Sequence, residues 1–220
     1  PCPLSHAYTS HGHEDYPQHA HPDGPARCAC GPHPGPHRRT RPGPGVQTDT
    51  LFDREARVAY GQIYILETGT SNPEFEAAFR GQANGLLGVA VPGAIWLTTG
   101  LHTGRVALTI ARHQVPPPVD PAVEEVVEAS FAAPAAGVRL EEWAGGGSWP
   151  LTLVPGDYRV RLSAAGLDAA RAADTLLDGE PVIDRYHLDL WPAPPAPDAV
   201  LRSTSDIAAY WHRWARALPR

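Results

Sequence analysis

The chain has 220 residues, including 25 prolines and 21 glycines, about twice the share of these two residues in an ordinary globular protein. The first 47 residues carry four arginines and three carboxylates, so residues 48–220 carry 14 basic and 21 acidic side chains and a net charge of −7. This acidic body disfavours direct binding of nucleic acid, which depends on neutralising phosphates, and its 173 residues suffice for one buried core without disulfides or a metal.

The first 47 residues are rich in proline, glycine and histidine, and they contain all three cysteines and 7 of the 11 histidines. Few of these side chains could pack into a core, so we predict a disordered tail over residues 1–47 and a single domain over residues 48–220. Thiolate and imidazole groups bind transition metals, which makes part of the tail a weak candidate metal site. Its residues are Cys28, Cys30, His33 and His37.

The C-x-C spacing of the tail differs from that of structural zinc sites, so we expect no cofactor. A metal-handling or structural protein that acts through the tail is nevertheless one alternative function. The body contains no cysteine, as a reducing compartment permits, and no apolar run at the start of the chain is typical of a signal peptide. We therefore expect a cytoplasmic protein.

The first predicted elements of the body are a strand and a short helix. Residues 57–66 combine β-branched and aromatic side chains in an alternating pattern, which predicts one continuous strand. Asn72 is a capping residue that precedes Pro73, and proline favours the first position of a helix. We predict a helix of two turns at most, ended by Gly81.

Residues 81–104 contain no Asp, Glu or Arg, so a membrane helix has to be considered there. Pro92 and Gly93 interrupt the stretch in its middle, which favours two buried strands around a Pro-Gly turn. We therefore expect no membrane association. Residues 105–112 alternate with period two and predict the next strand.

Residues 123–131 and 138–143 predict two strands that pair as a hairpin. The pair carries five carboxylates, and an acidic surface can attract and orient a basic protein partner. These five are the candidate partner-binding residues: Glu124, Glu125, Glu128, Glu141 and Glu142.

The last third of the chain predicts two more strands and a helix. Residues 157–164 alternate, with aromatic and aliphatic side chains turned inward and the arginines outward, and residues 183–191 alternate as well. Apolar residues then recur at helical spacing, which predicts an amphipathic helix over residues 205–218, capped by Thr204 or Ser205.

These elements together predict the fold class. Seven or eight short strands separated by turn residues are typical of a mainly β protein. We predict an antiparallel β-sandwich with a short helix and an amphipathic C-terminal helix, which docks on the sandwich.

The sequence contains no nucleophile elbow, zinc-protease motif or phosphate-binding loop, so we predict no catalytic residues. Four aspartates in the last third lack the spacing of a calcium loop and are expected to be solvated loop carboxylates. They are Asp168, Asp174, Asp178 and Asp184. An uncharacterised enzyme with a site around His187 and Asp174 is a further alternative.

Three segments carry a family resemblance. Residues 57–64 (RVAYGQIY), 151–160 (LTLVPGDYRV) and 172–175 (AADT) occur in an order that resembles the competence protein J family, over residues 55–192. Members of that family are small bacterial proteins, of which the best known inhibits the DNA-entry nuclease of natural transformation.

The resemblance implies a non-enzymatic protein-binding module whose partner is a basic nuclease. The five glutamates could then mimic a run of phosphates and occupy the basic cleft of that nuclease. The interaction would be one between proteins, without direct contact to nucleic acid or membrane.

Overall fold

A computed structural model describes residues 48–219, which form two packed sheets and three helices. The first sheet contains β1 (Thr48–Val58), β5 (Gly104–His113), β6 (Glu125–Ala133), β9 (Gly156–Ala165), β10 (Arg185–Pro192) and β11 (Ala199–Arg202). The second contains β2 (Gln62–Glu67), β3 (Leu87–Gly88), β4 (Ala94–Thr98), β7 (Val138–Glu142) and β8 (Ser148–Leu151). The helices are α1 (Phe75–Phe79), α2 (Leu167–Ala173) and α3 (Asp206–Ala217).

The first sheet, called sheet A, has the strand order β1-β5-β10-β9-β6-β11, and sheet B has the order β3-β4-β2-β7-β8. All neighbouring strands run antiparallel except β5 and β10, which are parallel. The prediction of a mainly β sandwich with a short helix and a C-terminal helix is therefore confirmed.

The core lies between the two sheets and follows from the alternation of the strands. Ile63 and Ile65 of sheet B face Leu108 and Ile110 of sheet A in one hydrophobic cluster, and each is at most 2% exposed. Burying one such side chain stabilises the fold by about 1.5–3 kcal/mol. The opposite face of each sheet, turned away from the core, is called its outer face.

The single strand predicted over residues 57–66 is wrong. The chain turns at Tyr60 and Gly61, whose φ angles of 57° and 67° are both left-handed. This turn carries the chain from β1 in sheet A to β2 in sheet B. The alternation continues through the turn, so the pattern alone could not reveal the break.

The predicted pairing of the two glutamate-rich strands is also wrong. β6 pairs with β9 and β11 in sheet A, whereas β7 pairs with β2 and β8 in sheet B. The loop between β6 and β7 closes with a hydrogen bond from Gly137 N to Pro134 O and crosses from one sheet to the other. A loop of this length between two strands usually makes a hairpin, which is why the sequence suggested one.

The predicted helices at both ends of the body are confirmed, with small shifts. α1 begins at Phe75, two residues after Pro73, and its N-cap Glu74 makes no side-chain cap. Ser205 caps α3 by accepting a hydrogen bond from Ala208 N. α2 was not predicted, because its seven residues are too few to show a helical period.

The apolar stretch over residues 81–104 forms the paired strands β3 and β4, with Pro92 and Gly93 in the connection, as predicted. Within residues 48–219, none of the helices is both long and apolar enough to cross a membrane. α3 packs against the start of this stretch at Gly85, where a side chain would collide with the backbone of Trp211.

Candidate functional site

Three of the five predicted glutamates lie on β6 or beside it, in sheet A. Glu125 is 1% exposed and accepts hydrogen bonds from Thr204 N and Ser205 N, so it holds the start of α3. Glu124 accepts from Gly166 N at 2.8 Å. Both carboxylates therefore position neighbouring backbone.

Glu128 is the acidic centre of a buried ion pair network in sheet A. Its two carboxylate oxygens pair with Arg159 at 3.1 Å and Arg161 at 2.7 Å. These arginines were predicted to point outward, and they do lie on the outer face, but they are only 8% and 6% exposed. The carbonyls of Pro117 and Ala196 accept further hydrogen bonds from them, so two loops cover this part of the sheet.

The other two glutamates lie in sheet B. Glu141 pairs with Arg139 at 2.6 Å, and the buried Glu142 accepts a hydrogen bond from Arg57 N at 2.7 Å. The structure thus divides the five glutamates between two sheets. Their role in partner binding stays a prediction, without the single acidic strand pair that suggested it.

The weak candidate metal site was predicted in the first 47 residues. Cys28, Cys30, His33 and His37 lie outside the described residues. Within residues 48–219, no group of three His, Cys, Asp or Glu side chains is arranged to hold a metal ion.

One of the four aspartates, Asp184, is not the solvated carboxylate that was expected, whereas Asp168 is exposed but lies in α2 and not in a loop. Asp168 accepts hydrogen bonds from Asp206 N and Ile207 N at the start of α3. Asp184 is fully buried and accepts from Leu101 N and from the hydroxyl of Tyr186. Burial raises the pKa of Asp184 above its ordinary value, although these hydrogen bonds oppose the rise.

His187 and Asp174 have separate contacts. His187 Nε2 lies 3.1 Å from Asp189 Oδ1, and His113 Nε2 lies 2.5 Å from the same oxygen. The hydrogen bond with Asp189 raises the pKa of His187, against the effect of burial. Asp174 instead accepts a hydrogen bond from the Thr175 hydroxyl. An enzymatic site around the two residues stays an untested alternative.

A large concavity is found on the outer face of sheet B, between that face and helices α1 and α3. This aromatic cleft has a volume of about 960 Å³, in the range of ligand-binding sites. Its walls come from β2, β4, residues 71–75 and one face of α3, with Arg171 of α2 at its edge.

One wall of the aromatic cleft is a cluster of rings that joins α1 to α3. Phe75 stacks on Trp214 with a ring distance of 4.5 Å and contacts Trp96 at 5.1 Å and Trp211 at 5.7 Å. Such pairs contribute about 0.5–1.5 kcal/mol each beyond their burial. The cluster therefore fixes the shape of the wall.

The floor of the aromatic cleft is the outer face of β2 and β4. Trp96 Nε1 and Thr98 Oγ1 are buried there without a hydrogen-bond partner, although both residues line the cleft. Tyr64 lies beside Trp96, with its hydroxyl donating to Gln62 Oε1. Burial, assisted by the negative charge of Glu141, raises the pKa of Tyr64 to about 12.

The mouth of the cleft is bordered by an aromatic rim of Tyr60, His102 and Trp143, in which Tyr60 and Trp143 are exposed. Tyr60 is 61% exposed, and its ring lies 5.0 Å from Trp143 and 5.3 Å from His102. Its positive φ is costly for an aromatic residue and is stabilised by hydrogen bonds from Gly61 N to His102 O and from Thr99 N to Gly61 O. Strained residues held in this way often occur at functional sites.

Sequence reasoning did not select any residue of the rim or the floor. Trp96 and Thr98 belong to an apolar run that was interpreted as buried strand, and Tyr60 was placed inside a continuous strand. The usable signal was local: Gly61 is an isolated glycine inside the predicted strand, and such a glycine can mark a turn although the alternation continues.

No family model and no curated protein sequence matches the chain. Two solved structures resemble it in fold. One is ComJ, the inhibitor of the DNA degrading activity of NucA from Bacillus subtilis, with 16% identity, a TM-score of 0.47, and coverage of 67% of this chain and 99% of that chain. The other is the protein of crocagin biosynthetic gene J, with 15% identity, a TM-score of 0.43, and coverage of 67% and 99%.

ComJ is thus among the structural neighbours, as the sequence resemblance predicted. At these identities the likeness is one of fold alone.

Proposed function

We propose that this protein is a non-enzymatic binding module that holds a segment of a protein partner across the aromatic rim and in the aromatic cleft. The observation that carries the proposal is the conformation of Tyr60. A left-handed backbone turns its ring outward, 61% exposed, beside Trp143 at the mouth of the cleft. Exposed aromatic residues next to a pocket are characteristic of binding hot spots.

The surroundings of the rim support a protein as the ligand. Leu177 and Tyr210 are 65% and 49% exposed, and Tyr210 lines the cleft beyond the rim. Exposed apolar side chains grouped around a cleft are typical of an interaction site. The partner segment would cover this surface and enter the cleft.

A finer hypothesis concerns the identity of the partner. The net charge of −7 over residues 48–220 favours a basic protein, and the family resemblance suggests that this protein is a nuclease that becomes inhibited. In that case the exposed carboxylates would raise the association rate, while contacts in the rim and cleft would slow dissociation.

Affinity capture with the full chain tests this proposal. The wild type is compared with a rim variant, Tyr60→Asn with Trp143→Ser, and with an acidic control, Glu124→Gln with Glu141→Gln. Asparagine tolerates the left-handed conformation, so the turn should persist without the ring. Glutamine keeps a hydrogen-bond acceptor at positions where the carboxylates bind Gly166 N and Arg139.

We expect a protein held by the wild type and by the acidic control to be lost from the rim variant. If that protein is a nuclease, adding the full chain should lower its activity, and the rim variant should not. A partner held equally by wild type and rim variant but lost from the acidic control would overturn the proposal in favour of an acidic surface.

A further inference from the structure

The floor of the aromatic cleft contains two hydrogen-bonding groups without partners. Trp96 Nε1 and Thr98 Oγ1 are buried and unpaired, and the residues are 5% and 3% exposed. Leaving such a group buried and unpaired costs about 1–3 kcal/mol. The two residues lie two positions apart on β4, on the same face of the strand, so both unpaired groups belong to one part of the floor.

The chemistry of these groups selects the complementary ligand group. An indole N–H can only donate, and a hydroxyl can donate as well, so an acceptor oxygen satisfies both. A carbonyl oxygen has two lone pairs and can accept two hydrogen bonds.

The charges around the floor decide between a neutral and an ionised acceptor. Arg171 is the cation that lines the cleft, and it lies at the edge, more than half exposed and 4.0 Å from Asp174. The anionic Glu141 acts on neighbouring Tyr64, and Glu74 lines the mouth. A buried carboxylate without a paired cation is strongly disfavoured, so the floor excludes an ionised acceptor.

We infer that the floor of the aromatic cleft binds the neutral amide carbonyl of a protein segment, through Trp96 Nε1 and Thr98 Oγ1, and discriminates against carboxylates. This inference rests on the proposed function and names what enters the cleft. The flat amide group also suits a cleft whose walls are the rings of Phe75 and Trp211.

Binding requires a small opening of the floor. In the structure, each of the two atoms exposes less than 1 Å² to solvent. The ring side chains of the wall must therefore move apart when the carbonyl binds. Satisfying two unpaired groups offsets the free energy of that movement.

Nuclear magnetic resonance of the full chain, labelled with ¹⁵N, tests the inference. The indole N–H signal of Trp96 is assigned by its disappearance in Trp96→Phe, which keeps a ring at this position. Benzamide and benzoate serve as probes, because they share a shape and differ in charge. We expect benzamide to move the Trp96 signal downfield and to bind at least about tenfold more tightly than benzoate.

Thr98→Val removes the hydroxyl without changing the shape and should weaken benzamide binding about fivefold. Thr109→Val, which removes a hydroxyl from the outer face of sheet A and outside the cleft, should leave benzamide binding unchanged. Benzoate binding as tightly as benzamide, or no movement of the Trp96 signal at the solubility limit of benzamide, overturns the inference. Partner capture that depends on Tyr60 would then still support the rim as the binding surface.

Discussion

The outer faces of the two sheets differ in how they bury polar groups, although Arg105 Nε on sheet A is also buried without a hydrogen-bond partner. On sheet A, Arg159 and Arg161 share the carboxylate of Glu128, and His113 shares Asp189 with His187. On sheet B, the polar atoms of Trp96 and Thr98 are buried without partners, beside a cleft of about 960 Å³.

This difference indicates which face has a binding role. The buried charges of sheet A are paired with one another, so few of their hydrogen-bonding groups remain for a partner. The unpaired groups of sheet B destabilise the free protein and become satisfied only when a ligand supplies an acceptor. Glu125 and Glu128 make structural contacts on sheet A, and the binding role predicted for the five glutamates stays a prediction. The aromatic cleft on sheet B is the candidate that we propose for binding.

The largest effect is expected on sheet A. Glu128→Ala would leave two buried guanidinium groups without their carboxylate, so the free energy of unfolding should fall by about 3–5 kcal/mol. Urea denaturation at pH 7 measures this change. Glu124→Ala, which removes an exposed carboxylate from the same strand region, should cost less than about 1 kcal/mol. Equal losses in the two variants would show that the network on sheet A is not a special source of stability.

A second prediction concerns His212, which anchors α3 next to the cleft. Gly85 N donates to its Nδ1, and burial, with the nearby charge of Arg216, lowers the pKa of His212 to about 4. His212 binds a proton more readily in the unfolded chain than in the folded protein. The contribution of neutral His212 to the free energy of unfolding is therefore complete above pH 6.5 and is lost as the pH falls towards 4. The loss should be about 2 kcal/mol.

Denaturation at pH 7.5 and pH 4.5 measures this dependence. His212→Asn keeps an acceptor for Gly85 N but cannot titrate, so the difference between the two pH values should shrink. An unchanged difference in this variant would assign the pH dependence to other groups.

A third prediction compares two threonines, one on each outer face. Thr98 has an unpaired hydroxyl, whereas the hydroxyl of Thr109 donates to Asp53 at 2.9 Å. Thr98→Val should raise the free energy of unfolding by about 0.5–1 kcal/mol, and Thr109→Val should lower it by a similar amount. Thermal unfolding of both variants measures the contrast. A loss of stability in Thr98→Val would mean that its hydroxyl is already satisfied.

The smallest effect should come from His187, which is half exposed. Because its pKa is raised by Asp189, its contribution is present below pH 6.5 and is lost as the pH rises through the folded-state value. The titratable groups that face it are Asp189, His113 and Asp53. We expect the free energy of unfolding to change by less than about 0.5 kcal/mol, with a pH dependence opposite in sign to that of His212. His187→Gln should remove it in the same pH series.

The sequence was sufficient to predict the sandwich. The alternation within each strand places Ile63, Ile65 and Leu188 in the core, whichever strands pair with one another. It was insufficient to predict which strands pair. The left-handed turn at Tyr60 and the crossing at Gly137 depend on backbone angles that the period of two does not encode. The hairpin prediction therefore placed Glu128 and Glu141 on one surface, although they lie in different sheets.

The aromatic cleft was harder to predict for a related reason. Its wall combines Phe75 with residues of α3, which lie more than a hundred positions later in the chain. No local pattern brings these residues together. The unpaired state of Trp96 and Thr98 is a property of the packed structure and has no signature in sequence.

The most direct test of sheet B as the binding face uses tryptophans already present on the two faces. Trp96 lies on the outer face of sheet B, whereas Trp191 lies on that of sheet A under the guanidinium of Arg161. Their indole N–H signals are followed while the full chain is titrated with a partner identified by capture. Movement of the Trp96 signal with Trp191 unchanged is the predicted result. Movement of Trp191 with Trp96 unchanged would contradict it and would assign partner binding to sheet A.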